Sequence, residues 1–386
     1  MPDMPAVRRA MTMAADPDAI AGALWNDLGQ PDLRLVLVFT SAPCDMDRLA
    51  AALQSRFGDI PVIGCTTAGE IAQNGYGSGG TVGLGLGGAD FAAAPVLVRD
   101  LHDFTVAAGQ EVIRAAQQTV WSQFPACERG QMFAFTLIDG LSGCEEAVVS
   151  ALHAAMGEIP LCGGSAGDCM RFRRTLIFHQ GKALSDCALF VLVGTALPFR
   201  AFKTEHFIAG EEKAVITEAD PMGRIVTEIN AEPAALEYAR VVGLEIDETA
   251  LSPMIFANHP MVVRVGGTNF VRSIQKVNDD GSLTFFCAID RGIVLRAAHG
   301  VDLVDNLDNL FSSLRAELGP PALILGFDCI LRGLEMDEKG IRAEVGRLMA
   351  DNAVLGFATY GEQYRAMHVN QTFTGIAIGC HGAGRR

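Results

Sequence analysis

The sequence predicts a layered α/β (α+β) protein in which one strand-helix-strand-strand unit occurs three times, in two packed domains with mixed sheets. Three runs of residues are apolar on both faces, as expected of central, covered strands. Each run is followed by an apolar stripe with helical spacing, and a glycine comes seven residues after each stripe. Three repetitions in the same order indicate duplication.

Each unit begins with an apolar strand and continues into an amphipathic helix. The strands are residues 35–40, 132–138 and 322–327. The helices are marked by Leu49, Leu53 and Phe57; by Val148, Leu152 and Met156; and by Ile341, Val345 and Met349. Residues four apart lie on one helix face, so each stripe predicts a helix packed on its sheet.

A second short strand follows each helix and is predicted to end at a glycine. These glycines are Gly64, Gly163 and Gly356, and each opens a loop of small residues that finishes in glycine and an acid: Glu70, Asp168 and Glu362. A last strand follows, and the spacing from Gly64 to Gly87 equals that from Gly356 to Gly379. In the second unit this strand (188–193) comes later, because residues 171–185 insert a predicted hairpin.

The pattern changes between the second and third units. Pro233 begins a short predicted helix through Ala239, and strands are predicted at 261–265, 269–277 and 283–289, with an Asp-Asp-Gly turn at 279–281. An amphipathic helix over 304–314 follows. We therefore predict an N-terminal segment (1–30), an N-terminal domain with two units (31–220), and a C-terminal domain with one unit plus inserted strands and helix (221–386).

Composition narrows the functional classes. The 386 residues are 49% apolar, enough for more than one core, and the net charge of −15 would repel nucleic acid. Ten cysteines occur without a Cys-x-x-Cys pair, which favours reduced thiols over a zinc site. Because no stretch reaches about 18 uninterrupted apolar residues, we expect no membrane insertion and a cytoplasmic location.

The loops carry a family resemblance. Residues 62–70, residues 163–168, and Gly361-Glu362 followed by 370–372 resemble the paired N and C domains of the FIST family. Residues 271–278, 360–364 and 368–373 are similar to its stand-alone, haem-binding, nitric-oxide-sensing bacterial branch. The resemblance implies an intracellular sensor, not an enzyme, that holds haem b through one axial histidine. Nitric oxide binding would then alter a partner histidine kinase.

The resemblance leaves the axial ligand open. His368, His206 and His179 are the candidates, with His259 behind them, and one ligand is expected. A fixed imidazole needs a hydrogen bond to its other nitrogen, which Glu362, Asn370 or Gln371 could supply to His368. His368 therefore ranks narrowly above His206. The chain lacks Cys-x-x-Cys-His, so a covalent c-type haem is excluded.

Two rival functions come from the residues themselves. The first is a FIST module that binds an amino acid or similar metabolite without haem, through Glu70, Asp168, Glu362, Arg272 and Asn370; the three acids could equally be structural caps. The second is a hydrolase that uses Ser165 in Gly-x-Ser-x-Gly. A predicted strand follows that serine where the nucleophile elbow needs a helix, so we expect no catalysis.

Overall fold

The first repeat contains two strand-helix pairs before its hairpin and last strand. Its elements are β1 (Val7–Thr12), α1 (Pro17–Leu28), β2 (Leu33–Thr40), α2 (Met46–Phe57), β3 (Val62–Thr66), β4 (Glu70–Ala72), β5 (Gly75–Gly77) and β6 (Thr81–Gly87). The carboxylates of Asp16 and Asp45 cap α1 and α2 by accepting backbone N–H bonds at 3.0 Å. The computed structural model describes residues 7–245, 251–265 and 267–381.

The second repeat has the same order of elements, and so does the third apart from one long insertion and one additional helix. The second comprises β7 (Phe91–Val98), α3 (Val106–Gln123), β8 (Met132–Ile138), α4 (Glu145–Met156), β9 (Leu161–Ser165), β10 (Ile177–His179), β11 (Lys182–Leu184) and β12 (Ala188–Thr195). The third opens with β13 (Phe199–Thr204).

The insertion forms a domain of its own over residues 207–300. Its elements are β14 (Phe207–Asp220), β15 (Ile225–Ile229), β16 (Glu232–Pro233), α5 (Ala234–Val241), α6 (Pro253–Asn258), β17 (Met261–Val265), β18 (Thr268–Arg272), β19 (Ile274–Val277), β20 (Leu283–Phe285) and β21 (Val294–Gly300). The strand order β18-β17-β21-β14-β15-β20-β19 begins and ends on strands that are joined through Ser273. The sheet therefore curls back on itself around a core that includes Tyr238 and Phe285.

The third repeat then resumes and completes the chain. Its remaining elements are α7 (Leu303–Leu318), β22 (Leu323–Cys329), α8 (Ile330–Glu338), α9 (Arg342–Asp351), β23 (Val354–Thr359), β24 (Glu362–Tyr364), β25 (Met367–Val369) and β26 (Phe373–Ile378). The predicted fold class and the three repeats are confirmed. Each repeat also opens with an unpredicted strand, and in the first two repeats an unpredicted helix follows it; the helix that follows in the third, α7, agrees with the helix predicted over 304–314.

The repeat glycines occupy equivalent positions because the neighbouring strand leaves no room for a side chain. Gly64, Gly163 and Gly356 pair in parallel with residues 38, 136 and 326 of β2, β8 and β22. A Cβ on Gly64 would lie 1.8 Å from the Val38 carbonyl oxygen, and one on Gly356 would lie 1.7 Å from that of Gly326. The prediction that these glycines end their strands is wrong, since each strand continues past its glycine.

The three repeats exchange their hairpins in a ring. The β4-β5 hairpin of the first repeat joins the sheet of the third, β10-β11 of the second joins the first, and β24-β25 of the third joins the second. Each hairpin thus lies beside the strand of another repeat that carries the repeat glycine, which is β3, β9 or β23. We call these places the first, second and third seams, numbered by the repeat that accepts the hairpin.

The inner faces of the three sheets pack together at the centre of the ring. Phe39 and Phe357 have ring centroids 4.6 Å apart, and Phe327 lies 5.6 Å from Phe357. Helices cover the outer face of each sheet and form separate apolar clusters with it. The apolar character of both faces of the central strands follows from these two layers.

The inserted domain differs in part from the sequence prediction. The β17 bounds agree, but the predicted strand 283–289 ends at Phe285, since residues 286–288 leave the sheet and reach the ring. The predicted domain boundary at 220 and 221 falls in the turn between β14 and β15. Among the described residues, none of the helices has the length and apolar character needed to cross a bilayer.

Candidate functional site

The loops that follow β3, β9 and β23 meet one another, as a shared pocket requires. Backbone hydrogen bonds join them in a cycle: Ala68 N to Ala358 O at 3.0 Å, Gly167 N to Thr66 O at 3.0 Å, and Ser165 N to Gly361 O at 2.8 Å. The carboxyl ends of the parallel strands of all three repeats therefore lie together, where α/β proteins commonly bind ligands.

Glu70 and Glu362 are structural equivalents with buried carboxyl groups. Each begins a hairpin strand and pairs with the residue after a repeat glycine, and each is hydrogen-bonded to the threonine three positions earlier. Burial raises the pKa of Glu70 to about 7 and that of Glu362 to about 8, against the opposing effect of these hydrogen bonds. Neither carboxyl group is an open ligand contact.

Asp168 is not the equivalent of these two glutamates. The matching position in the second repeat is Ile177, which pairs with Cys65, so the prediction that all three acids share one register is wrong. The Asp168 carboxylate accepts N–H bonds from Phe172, Arg173 and Arg174 at 2.7–3.0 Å. Burial opposes ionisation of Asp168, but these bonds and one from Tyr360 hold its pKa below the usual range.

The second seam contains a group of buried polar side chains with unsatisfied hydrogen-bonding atoms. Arg272, His368 and Asn370 form this buried polar cluster and are 8%, 1% and 0% exposed. Arg272 Nε, His368 Nε2 and both polar side-chain atoms of Asn370 have no hydrogen-bond partner within the described chain. Each buried polar atom without a hydrogen-bond partner lowers the stability of the fold by about 1–3 kcal/mol. The cluster is therefore suited to hydrogen-bond a bound molecule.

Gly361 gives the cluster a common point of approach. A Cβ at Gly361 would lie 2.5 Å from His368 Nε2 and 3.0 Å from Asn370 Nδ2. The His368 ring and the Asn370 amide therefore pack directly against the Gly361 backbone, where there is no room for a side chain. Arg272 approaches from the inserted domain, where its Nη1 donates to the His368 carbonyl oxygen at 3.4 Å.

Arg272 also lacks a counter-ion. Within the ranges that the structure describes, no carboxylate lies within 4.0 Å of its guanidinium, although the side chain is buried. Its influence and its hydrogen bond lower the pKa of Cys287, but burial dominates and raises that pKa to about 11. A neutral thiol does not compensate a buried charge.

Opposite charges dock the inserted domain beside the cluster. Arg224 Nη2 lies 2.7 Å from carboxylate oxygens of both Glu145 and Glu146, at the start of α4. Burial tends to raise the pKa of Glu146, but His368 and Arg224 outweigh it and the pKa is lowered. Glu146 also accepts the Ala288 N–H, so the inserted domain holds α4 at two points.

The other two seams lack this polar hairpin. Gln363 and His368 are paired across β24 and β25, and the corresponding pairs are Ile71 with Tyr76 and Phe178 with Ala183. The inserted domain covers the second seam, where the hairpin is polar. This departure from the repeat pattern favours a specialised role for the second seam.

Of the three histidine candidates, His368 alone has an unsatisfied ring nitrogen at the buried polar cluster. His206 is fully buried, with Nε2 2.7 Å from Glu335 and Nδ1 2.9 Å from Arg332, so both nitrogens are engaged. His179 lies on β10, in a different sheet, with its Nδ1 unpaired. The surroundings of His368 are polar and Gly361 packs against its ring, so they fit a small polar molecule better than a porphyrin.

Ser165 is buried and has an amide as its neighbour. Gln363 Nε2 donates to Ser165 Oγ at 2.9 Å, and no histidine among the described residues lies within hydrogen-bonding distance of that hydroxyl. Ser165 is the last residue of β9, and the chain continues through a loop to β10 without a helix. The geometry therefore lacks the base that would activate a serine nucleophile.

Arg272, His368 and Asn370 were predicted from sequence as site residues, and the structure brings them together. Glu146, Arg224 and Gln363 were missed. Glu146 and Arg224 are distant in sequence, and no local pattern joins the start of α4 to the inserted domain. Gln363 carried a signal, since it precedes by five residues the histidine with which it pairs across a short hairpin.

Two family models match the chain. The model described as the FIST N domain matches residues 34–232, and the one described as the FIST C domain matches residues 234–365. A protein of Methanocaldococcus jannaschii described as uncharacterized is 21% identical over 211 residues, which are 54% of this chain and 40% of that protein. The match thus spans less than half of that relative's length.

Among solved structures, the chain has a weak likeness to one described as "Cyanuric acid hydrolase: evolutionary innovation by structural concatenation". The TM-score is 0.40 and the identity is 8%, with 97% of this chain and 99% of that chain covered. A likeness at this level transfers no activity to this chain.

Proposed function

This chain belongs to the FIST family, and on that basis we propose that it is a cytoplasmic sensor that binds a small carboxylate-bearing metabolite at the buried polar cluster. The observation that carries the proposal is the buried Arg272 guanidinium without a counter-ion. A ligand carboxylate would supply the missing charge and accept from the unpaired Nε. Asn370 offers a donor and an acceptor beside it, which suits an amino acid or hydroxy acid.

Ligand binding would join the inserted domain to the ring. Arg272 belongs to the inserted domain, whereas His368 lies on the hairpin of the third repeat and Asn370 directly follows that hairpin. A molecule that contacts all three side chains stabilises the docked arrangement in proportion to its occupancy. Ligand binding would thereby change the surface of this protein that a signalling partner binds, and we propose a sensor histidine kinase as that partner.

A haem-based nitric oxide sensor is the second candidate, and it is favoured by the free Nε2 of His368. When bound, haem would supply the iron that takes up nitric oxide. His368 would be the ligand through Nε2; because the Gln363 amide nitrogen, a donor, lies 3.4 Å from Nδ1, the amide would have to turn its oxygen toward Nδ1 to leave Nε2 unprotonated for iron. The polar surroundings of His368 fit a haem group less well than they fit a small polar metabolite.

The two forms are separated by spectroscopy and by thermal shift. Protein purified from cells supplied with a haem precursor is examined for a Soret band, and His368→Ala is the matched variant. Haem-free protein is then melted with a panel of L-amino acids and hydroxy acids. A stoichiometric Soret band lost in His368→Ala supports haem; a panel member that raises the melting temperature supports the metabolite.

The variant Arg272→Met tests whether Arg272 binds the metabolite. Removing an uncompensated buried charge should leave the ligand-free protein as stable as the wild type or more so, while the ligand-induced shift disappears. Arg264→Met, at an exposed arginine on the same domain, should retain the shift. Loss of stability in ligand-free Arg272→Met, with an unchanged ligand response, would assign Arg272 a structural role.

A further inference from the structure

A cavity of about 680 Å³ lies at the first seam, at the carboxyl ends of β2 and β3. Its lining includes the loop that leads from β9 to β10, whereas the hydrogen bonds of Arg224, Arg272 and Ala288 from the inserted domain lie at the second seam. Cavities at the carboxyl ends of parallel strands are where α/β proteins bind ligands. We propose that this cavity is a second ligand site, which takes a small anion bearing a carboxylate or phosphate group.

Two arginines give the cavity its preference for anions. Arg171 and Arg174 line it, and neither guanidinium has an ion pair or side-chain hydrogen bond in the described part of the chain. The carboxylates that also line the cavity are largely engaged: Asp168 accepts loop N–H groups and Asp45 caps α2, which leaves Asp47 at the rim. Guanidinium groups bind carboxylate and phosphate through paired N–H donors.

The loop that carries these arginines also reaches the inserted domain. Phe172, between them, stacks on Tyr360 with ring centroids 4.7 Å apart and lies 6.0 Å from Phe286. Cys169, Met170 and Phe172 have φ between 50° and 60°, a left-handed conformation that side chains other than glycine rarely adopt. Such a loop keeps its shape only while neighbouring contacts hold it. An anion held by the arginines therefore acts on the contact between Phe172 and the inserted domain.

Two cysteines report occupancy of the cavity directly. Cys44 and Cys169 line it and are partly exposed, whereas Cys380 is partly exposed elsewhere. We expect millimolar inorganic phosphate or succinate to slow the reaction of Cys44 and Cys169 with N-ethylmaleimide several-fold, with Cys380 unchanged. Peptide mass spectrometry measures each cysteine separately. The double variant Arg171→Gln/Arg174→Gln should lose the protection, and Arg173→Gln, on the same loop but outside the cavity, should keep it.

Equal labelling rates with and without both anions in the wild type would overturn the anion site, and so would protection that survives in the double variant. For the coupling, either anion should slow backbone hydrogen exchange over residues 284–288 in the wild type and not in Phe172→Ala. An unchanged effect in Phe172→Ala refutes the coupling. Cysteine protection should persist in Arg272→Met, so the outcome is independent of the metabolite site at the second seam.

Discussion

His206 Nε2 donates to Glu335 Oε2 at 2.7 Å, inside a buried chain of charged groups. Arg332 donates to His206 Nδ1 at 2.9 Å, and a guanidinium only donates, so Nδ1 is unprotonated and the ring is neutral. Burial is the largest cause of the lowered pKa of His206, and Arg332 adds to it against Glu335. The His206 carbonyl also accepts from Val301, so this residue joins both ends of the inserted domain to α8.

Replacement of His206 should therefore destabilise the protein. His206→Ala removes one hydrogen bond from each of the buried charged groups Arg332 and Glu335, and we expect a loss of about 3 kcal/mol in the free energy of unfolding, in line with two lost hydrogen bonds to charged groups. His299→Ala, at an exposed histidine on β21, should change it by less than about 0.5 kcal/mol. Urea unfolding measures both, and equal stabilities of the two variants would contradict the buried network.

Glu362→Gln should remove part of the pH dependence of stability. The folded-state pKa of Glu362 is about 8, above its value in the unfolded chain, so the folded state holds the proton longer. Wild-type stability then falls with rising pH, by about 1.4 kcal/mol per pH unit for one group at most. The loss begins near pH 4.5 and ends near pH 8.

Glutamine mimics the protonated acid, since its amide group can donate to Thr359 and accept from Thr372. We expect Glu362→Gln to match the wild type at pH 5 and to exceed it at pH 8 by up to about 4 kcal/mol. Glu344→Gln, at an exposed glutamate on α9, should track the wild type throughout. Parallel pH profiles for wild type and Glu362→Gln would show that Glu362 is ionised in the fold.

Gly64→Ala should prevent correct folding, because the added methyl group would lie 1.8 Å from a backbone oxygen that cannot move without breaking the sheet. The expected loss exceeds about 4 kcal/mol, the range of severe core disruption. Gly58→Ala is the matched control: its φ is +63°, but nothing lies within 4 Å of the new methyl group. It should cost only about 1 kcal/mol. Circular dichroism melts distinguish them, and a cooperative melt of Gly64→Ala near the wild type would refute the close approach.

The exchanged hairpins predict that a fragment of residues 1–198 will not fold by itself. Without the third repeat, β9 loses β24 as its neighbour and the β4-β5 hairpin loses the sheet that it joins. Exposed strand edges promote aggregation. Co-expression with residues 199–386 should restore a soluble complex. A monomeric, cooperatively melting 1–198 fragment on size-exclusion chromatography would show that the hairpin exchange is dispensable.

The repeats could be predicted from sequence because their cause is local. Gly64, Gly163 and Gly356 recur since a neighbouring strand excludes any side chain, and the stripes recur since each helix covers one sheet. The exchange of hairpins could not be predicted, because nothing within β4 or β24 specifies which strand it pairs with. Asp168 was misaligned for a related reason: residues 169–176 lengthen one loop, so sequence spacing no longer gives structural equivalence.

The hairpin ring has an evolutionary consequence. Three separate single-repeat chains could close the same ring by swapping hairpins, as a symmetric trimer with three identical clefts. When the three repeats are joined in one polypeptide, the three seams no longer have to contain the same residues. His368 could then arise in one hairpin while the equivalent positions of the other two hairpins hold Tyr76 and Ala183. A whole domain could also be inserted after β13 in one repeat without being inserted in the other two. Gene fusion thus converts one symmetric binding surface into three that diversify separately.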